Sequence, residues 1–218
     1  NNAPHLQGTV FQFNHRVPGD SSRDHARIGA SFGTDHHQAS RSGGANAKLV
    51  RVGARMTRLD TVIKRLMAQR SCLDVAAKYL THMDGPVLEL GLGNGRTYDH
   101  LRSLFPDREI FVFDRELASH PDCQPDSDHM FLGPMQKTLI AAAAQLGSTA
   151  VLAHADIGFG DAAATEQNVM TLGPKIPPLV QSGGLVICDQ SLDRFDGLSS
   201  AFLPPDVEPG RYHVYKRD

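Results

Sequence analysis

The 218-residue chain predicts a doubly wound α/β domain, a mostly parallel sheet with helices on both faces. Three observations carry this. Short apolar strands alternate with helical segments from residue 87 onward, which is the pattern of a parallel sheet covered on both sides. A glycine-rich turn, Gly91-Leu92-Gly93-Asn94-Gly95, leaves the first strand and leads into a helix. Four carboxylates, Glu89, Asp114, Asp156 and Asp189, fall at or near strand ends, where such sheets hold their ligands.

Order is expected from Met56. Thr57-Arg58-Leu59-Asp60 resembles a capping box with Asp in the acidic position. Leu59, Val62, Ile63, Leu66, Met67, Leu73, Ala76 and Leu80 then recur at three- and four-residue spacing, which predicts an amphipathic helix or helix pair packed on the sheet. Strand 1 is Val87–Leu90, followed by a helix over Thr97–Leu104 that stops before Pro106. Strand 2 is Ile110–Asp114, and a polar connection leads to strand 3 at His129–Leu132. A helix over Met135–Leu146 ends at Gly147, and strand 4 spans Ala150–Asp156. A helical stretch from Ala162 runs toward Pro174, Gly183-Gly184 introduce strand 5 at Leu185–Asp189, and a last strand covers Tyr212–Lys216.

Residues 1–55 are rich in Gly, Ser, Asn, Arg and His without a sustained period, a composition that buries too little apolar surface to offset chain entropy. They are expected to be a disordered tail, or an extension if Met56 is the natural start, with residues 56–218 as the folded domain. Gly29-Ala30-Ser31-Phe32-Gly33 matches the G-x-S-x-G elbow of serine hydrolases, but it lacks the strand before it and the helix after it. His36-His37 reads as a solvated pair.

Charge narrows the partners. Residues 1–55 carry 7 Lys/Arg against 3 Asp/Glu, and residues 56–218 carry 15 against 21. An acidic body without tryptophan or a basic stripe argues against nucleic acid and for a small molecule or a neutral macromolecular surface, with a small-molecule substrate expected. No run of about 18 apolar residues suggests a membrane span. Three separated cysteines, Cys72, Cys123 and Cys188, form no C-x-x-C or zinc spacing and point to a reduced, cytoplasmic setting. A homo-oligomer remains open, and no metal site is expected.

The glycine turn identifies a ligand class. Asp114 lies 19 residues after Gly95, about where an acid grips ribose hydroxyls, so a nucleoside-containing ligand is expected. The dinucleotide fingerprint G-x-G-x-x-G/A fits neither register, because its last position falls on Arg96 or Tyr98. An NAD(P)-linked Rossmann oxidoreductase is thereby disfavoured, though it stays the enzymatic alternative. The pattern present, Glu89-x-Gly91-x-Gly93-x-Gly95, resembles motif I of the class I S-adenosylmethionine-dependent methyltransferases. Gly183-Gly184-Leu185-Val186-Ile187 is similar to their entry into strand 5. Met56–Leu73, Glu89–Thr97, Ala118–Asp122 and His154–Asp156 resemble a small bacterial family of S-adenosylmethionine methyltransferases without an established substrate.

The resemblance implies the Rossmann-like methyltransferase fold over residues 56–218, S-adenosyl-L-methionine as cofactor, and an acceptor left unnamed. It places Glu89, Gly91, Gly93, Asn94, Gly95, Arg96 and Thr97 around the methionine end, with Arg96 and the helix start receiving the carboxylate. Asp114 takes the ribose hydroxyls. Met135 and Asp156 complete the cofactor set. Pro134 stands where an adenine-contacting acid is expected and offers neither carboxylate nor N–H. Adenine would then rest on the Met135 backbone or on Asp128, and a cofactor-binding sensor without turnover is the non-enzymatic alternative. His154 and Asp156, two apart at the end of strand 4, are the candidate bases, and His120 is expected in the site wall.

Overall fold

The computed structural model describes residues 56–218. The expected tail, the G-x-S-x-G stretch and His36-His37 lie outside them. Seven strands form one sheet: β1 (Val87–Leu90), β2 (Ile110–Asp114), β3 (Met130–Leu132), β4 (Ala150–Ala155), β5 (Val180–Cys188), β6 (Leu198–Ser200) and β7 (His213–Arg217). Their order is β3-β2-β1-β4-β5-β7-β6. The first five run parallel, and β7 pairs antiparallel with both β5 and β6. Four α-helices, α1 (Arg58–Tyr79), α2 (Arg96–Leu104), α3 (Met135–Leu146) and α4 (Ala162–Leu172), and five single-turn 3-10 helices lie among the described residues. Chain order reverses between β1 and β4, the switch point at which open α/β sheets present their binding crevice.

Strand parity divides the core in two. Val87, Val112, Leu152, Leu185 and Ile187 point to one face, where Leu73 and Ala76 of α1, Leu80 just after it and Leu101 of α2 cover them. Leu88, Leu90, Phe113, Ala153, Val186 and Cys188 point to the other, under Leu139 of α3 and Val169 and Leu172 of α4. Both faces of the central strands are buried, so these segments read as continuous apolar runs.

The helix at the start of the domain follows its expectation in one half and departs from it in the other. Thr57 and Asp60 form the reciprocal capping box. Leu73, Ala76 and Leu80 are buried, but Leu59, Val62, Ile63 and Met67 are exposed, Leu59 at 67%. The periodic stripe therefore packs on the sheet only over its second half, while Arg65 in the first half meets Asp156 beyond the C-terminal end of β4.

Two further differences lie at the C-terminal side. β5 begins at Val180 rather than Leu185, and its register with β4 shifts between the Ala150–Val180 and Leu152–Leu185 pairs, so Gly183-Gly184 sit within the strand. β6 escaped the sequence reading because Leu198-Ser199-Ser200 carries no apolar alternation; its pairing with β7 creates it.

Candidate active site

At the C-terminal ends of β1, β2 and β4 lie two adjoining cavities that share Gly91, Asp114 and Asp156 in their walls. One, of about 270 Å3, is bounded by the glycine turn, by Asn94, Arg96 and Thr97 at the start of α2, and by Arg65, Leu66 and Gln69 of α1. The other, of about 240 Å3, is bounded by Arg115, Met135, Gln136, Ile157, Phe159, Asn168 and Leu172.

The glycines have different duties. Gly95 has φ of +82°, and a Cβ there would lie 2.5 Å from the Cys123 Cβ and 2.8 Å from its carbonyl oxygen. The 119–123 segment is thus seated on Gly95, and a side chain would push it off. Gly93, at φ of +48°, has nothing within 4 Å of its would-be Cβ, so its bare backbone faces open space in the first cavity. No side chain caps α2, whose first N–H groups have no partner within the helix and open on the same cavity as Arg96.

Asp114 holds the turn together. Its Oδ2 accepts from the Leu92 and Gly93 amides at 2.9 and 3.1 Å, and Oδ1 accepts from the Arg115 amide at 2.6 Å. A carboxylate has about four acceptor sites, so Asp114 is largely engaged by backbone while still lining both cavities. Asp156 differs. It lies just past β4 and its Oδ2 is paired with Arg65 Nη1 at 2.6 Å, both side chains about one-third exposed.

Glu89 and His154 do not line the crevice. They are register partners on β1 and β4, on the face covered by α1 and α2, and both are fully buried. Glu89 Oε2 lies 2.6 Å from His154 Nδ1. Across the ring, Nε2 meets Gln69 Nε2 at 3.1 Å and Tyr212 Oη at 3.0 Å, and Gln69 also donates to Thr97 Oγ1 at 3.1 Å. Burial raises the Glu89 pKa, against the lowering pull of His154. For His154 burial opposes the charged form, but the Glu89 carboxylate outweighs it and raises the imidazole's pKa. With the ring neutral, Nε2 accepts from the Gln69 amide and from Tyr212 Oη; a protonated Nε2 donates to Tyr212 Oη and leaves the Gln69 N–H facing it without an acceptor. Glu89 Oε1 is buried without a partner.

His154, expected as a base facing the reacting atoms, is instead buried against Glu89 and lines neither cavity. The two-residue spacing fails to put it beside Asp156 because β4 ends at Ala155, and Asp156 leaves the pleat. Asp189 is likewise structural: Oδ1 and Oδ2 accept from the Ile157 and Gly158 amides at 2.9 and 3.0 Å. His120 is an exposed residue whose Nδ1 accepts from the Asp122 amide, away from both cavities. Asp128 is exposed and outside the second cavity. Pro134 precedes α3 as expected, and the next-but-one residue, Gln136, supplies an amide to the cavity wall. Arg65, Gln69, Gln136, Phe159 and Asn168 were missed by the sequence reading. Phe159 and Asn168 were findable from their place after strand 4, whereas Arg65 and Gln69 sit on a helix whose approach to the site leaves no local trace.

The crevice fits S-adenosyl-L-methionine. The would-be Cβ of Gly93 projects into open space, an uncapped helix start and Arg96 present positive ends to a carboxylate, and Asp114 and Asp156 present negative ones to hydroxyls and cations. Comparison with known proteins agrees. The sequence family described as S-adenosyl-L-methionine methyltransferase matches residues 56–217. A crystal structure of an S-adenosyl-L-methionine methyl transferase from Silicibacter pomeroyi DSS-3 is 41% identical, with a TM-score of 0.71 over 75% of this chain and 100% of that one. The MycE methyltransferase of the mycinamycin biosynthetic pathway, in complex with Mg, S-adenosylhomocysteine and mycinamycin VI, is 16% identical, with a TM-score of 0.44 over 72% of this chain and 48% of that one. The antibiotic-resistance methyltransferase Kmr is 13% identical, with a TM-score of 0.39 over 68% and 92%. No curated protein matches the chain. Sequence, crevice and relatives converge: the chain belongs to the S-adenosyl-L-methionine methyltransferase family, takes S-adenosyl-L-methionine as its cofactor and is an enzyme of that class.

Proposed function

We infer that the enzyme methylates a small molecule seated beside Asp156, with the cofactor lying across both cavities. The observation that carries this is the shared wall of Gly91, Asp114 and Asp156, which joins the two cavities at the sheet's switch point. In the first, the Gly91–Gly95 backbone brackets the amino-acid end, with Asn94, Arg96 and Thr97 at the helix start toward its carboxylate. Asp114 reaches the ribose by exchanging a turn amide for a hydroxyl. In the second, Met135, Ile157 and Phe159 provide apolar surfaces for adenine, and the Gln136 amide takes the place of the acid that Pro134 replaces.

Held by the Gly91–Gly95 turn and Asp114, the cofactor would supply a methyl carbon that its sulfonium activates toward an acceptor lone pair. The chain's own contribution is alignment and charge. Asp156 lies at the junction of the cavities and takes a proton from an acceptor that must lose one. Glu89 and His154 act at one remove. Through Gln69 and Thr97 they fix α1 and the start of α2 against the sheet, so the first cavity keeps its shape. This reading disfavours a nicotinamide cofactor, whose diphosphate would need the small residue that Arg96 displaces.

Calorimetric titration tests it. S-adenosylhomocysteine is expected to bind and NADH to give no heat. Incubation with isotopically methyl-labelled cofactor and cell metabolites separated from macromolecules is expected to label the small-molecule fraction, and label confined to macromolecules would overturn the acceptor class.

A further inference from the structure

We propose that the acceptor is an amphipathic anion, an apolar body carrying a carboxylate or phosphate, and that Arg65 is the residue that holds its charge. This rests on the reading that the crevice binds the cofactor and deepens it on the acceptor side.

Arg65 projects from α1 to the junction of the cavities, and the described residues engage only one arm of its fork, Nη1 to Asp156. Nε and Nη2 have no partner among them, so the guanidinium retains a face on which an anion can form paired hydrogen bonds. An ion pair about one-third exposed is cheap to rearrange, whereas the Glu89–His154 pair below it is sealed.

The apolar half comes from the same helix. A groove of about 260 Å3 runs between α1 and α2, with Leu66 and Leu73 as its floor, and shares Leu66, Gln69, Arg96 and Thr97 with the first cavity. Arg70 and Arg96 are exposed on its rim, and the ion pairs among the described residues involve neither. Arg65 and Arg70 therefore border continuous space, with Arg96 turned to the cofactor's carboxylate; its open carboxylate, Asp156, is already shared, since Asp114 is bound to backbone. Such a site is complementary to an anion with an apolar body and disfavours a polyamine as acceptor. The volume lies just under the usual range of about 300–1,000 Å3 for drug-sized ligands, which fits a small acid.

The test uses the full chain saturated with S-adenosylhomocysteine and three probes: benzoate, phenyl phosphate and the neutral benzamide. Benzoate or phenyl phosphate is expected to bind at least tenfold more tightly than benzamide. Arg65→Met is expected to remove that preference, and Arg65→Lys to retain part of it. Equal binding of anions and benzamide, no binding of any probe, or an anion preference unchanged in Arg65→Met would each overturn the proposal. If wild-type protein fails to bind S-adenosylhomocysteine at all, the cofactor reading itself has failed, which is a distinguishable result.

Discussion

Two pairs of polar residues sit a few positions apart at the same sheet edge and behave oppositely. Glu89 and His154 lie inside β1 and β4, face α1 and α2, and are sealed; Asp114 and Asp156 lie at or just beyond strand ends and line open space. On β4 one residue of chain separates a sealed network from an open rim, because His154 is still covered by the flanking helices and Asp156, past the strand's end, is not. Chemistry at this edge is assigned by where each strand stops.

The largest expected effect tests the sealed pair. Glu89→Ala leaves a buried imidazole with its charge partner removed, and breaking such a pair costs about 3–5 kcal/mol. Urea unfolding should show that loss, and a change below about 1 kcal/mol would mean the network is not structural. At the rim the readout is binding instead. Asp114→Ala should weaken S-adenosylhomocysteine about tenfold or more in calorimetry, from lost charge-assisted bonds and a loosened turn. An unchanged affinity would remove Asp114 from the site.

The pH dependence of stability sharpens the contrast further. The folded-state pKa of His154 is raised, so its contribution is fully present below the unfolded value of about 6.5 and is lost as pH rises through the folded one. The urea midpoint should fall from pH 6.5 upward in the wild type, and His154→Gln should flatten that fall; an equal fall in the variant would place its source elsewhere. Smallest of all, Arg96→Met should weaken S-adenosylhomocysteine about three- to fivefold, in keeping with an exposed cation near a helix start. A loss as large as that of Asp114→Ala would show Arg96 to be a buried anchor in the complex.

Much of this architecture was legible along the chain. Each parallel strand is an apolar run and each helix an amphipathic or alanine-rich one, so β1 to β4 and α1 to α4 follow from local patterning within a few residues. Gly91–Gly95 and Asp114 mark the cofactor crevice because turn geometry and strand ends are local properties. β6 was hidden, since a three-residue edge strand owes its existence to the partner beside it.

The amino-acid sequence by itself determined the α/β class, the glycine turn, the capping box of α1 and the family, all of which rest on residues near one another in the chain. Tertiary structure alone decided that half of the α1 stripe stays exposed, that His154 is sealed against Glu89, and that Arg65 reaches Asp156 across 91 residues of sequence. Burial and pairing between distant segments depend on how elements are placed in space, and no local pattern encodes how much of a helix packs on its sheet or where a strand's last covered residue lies.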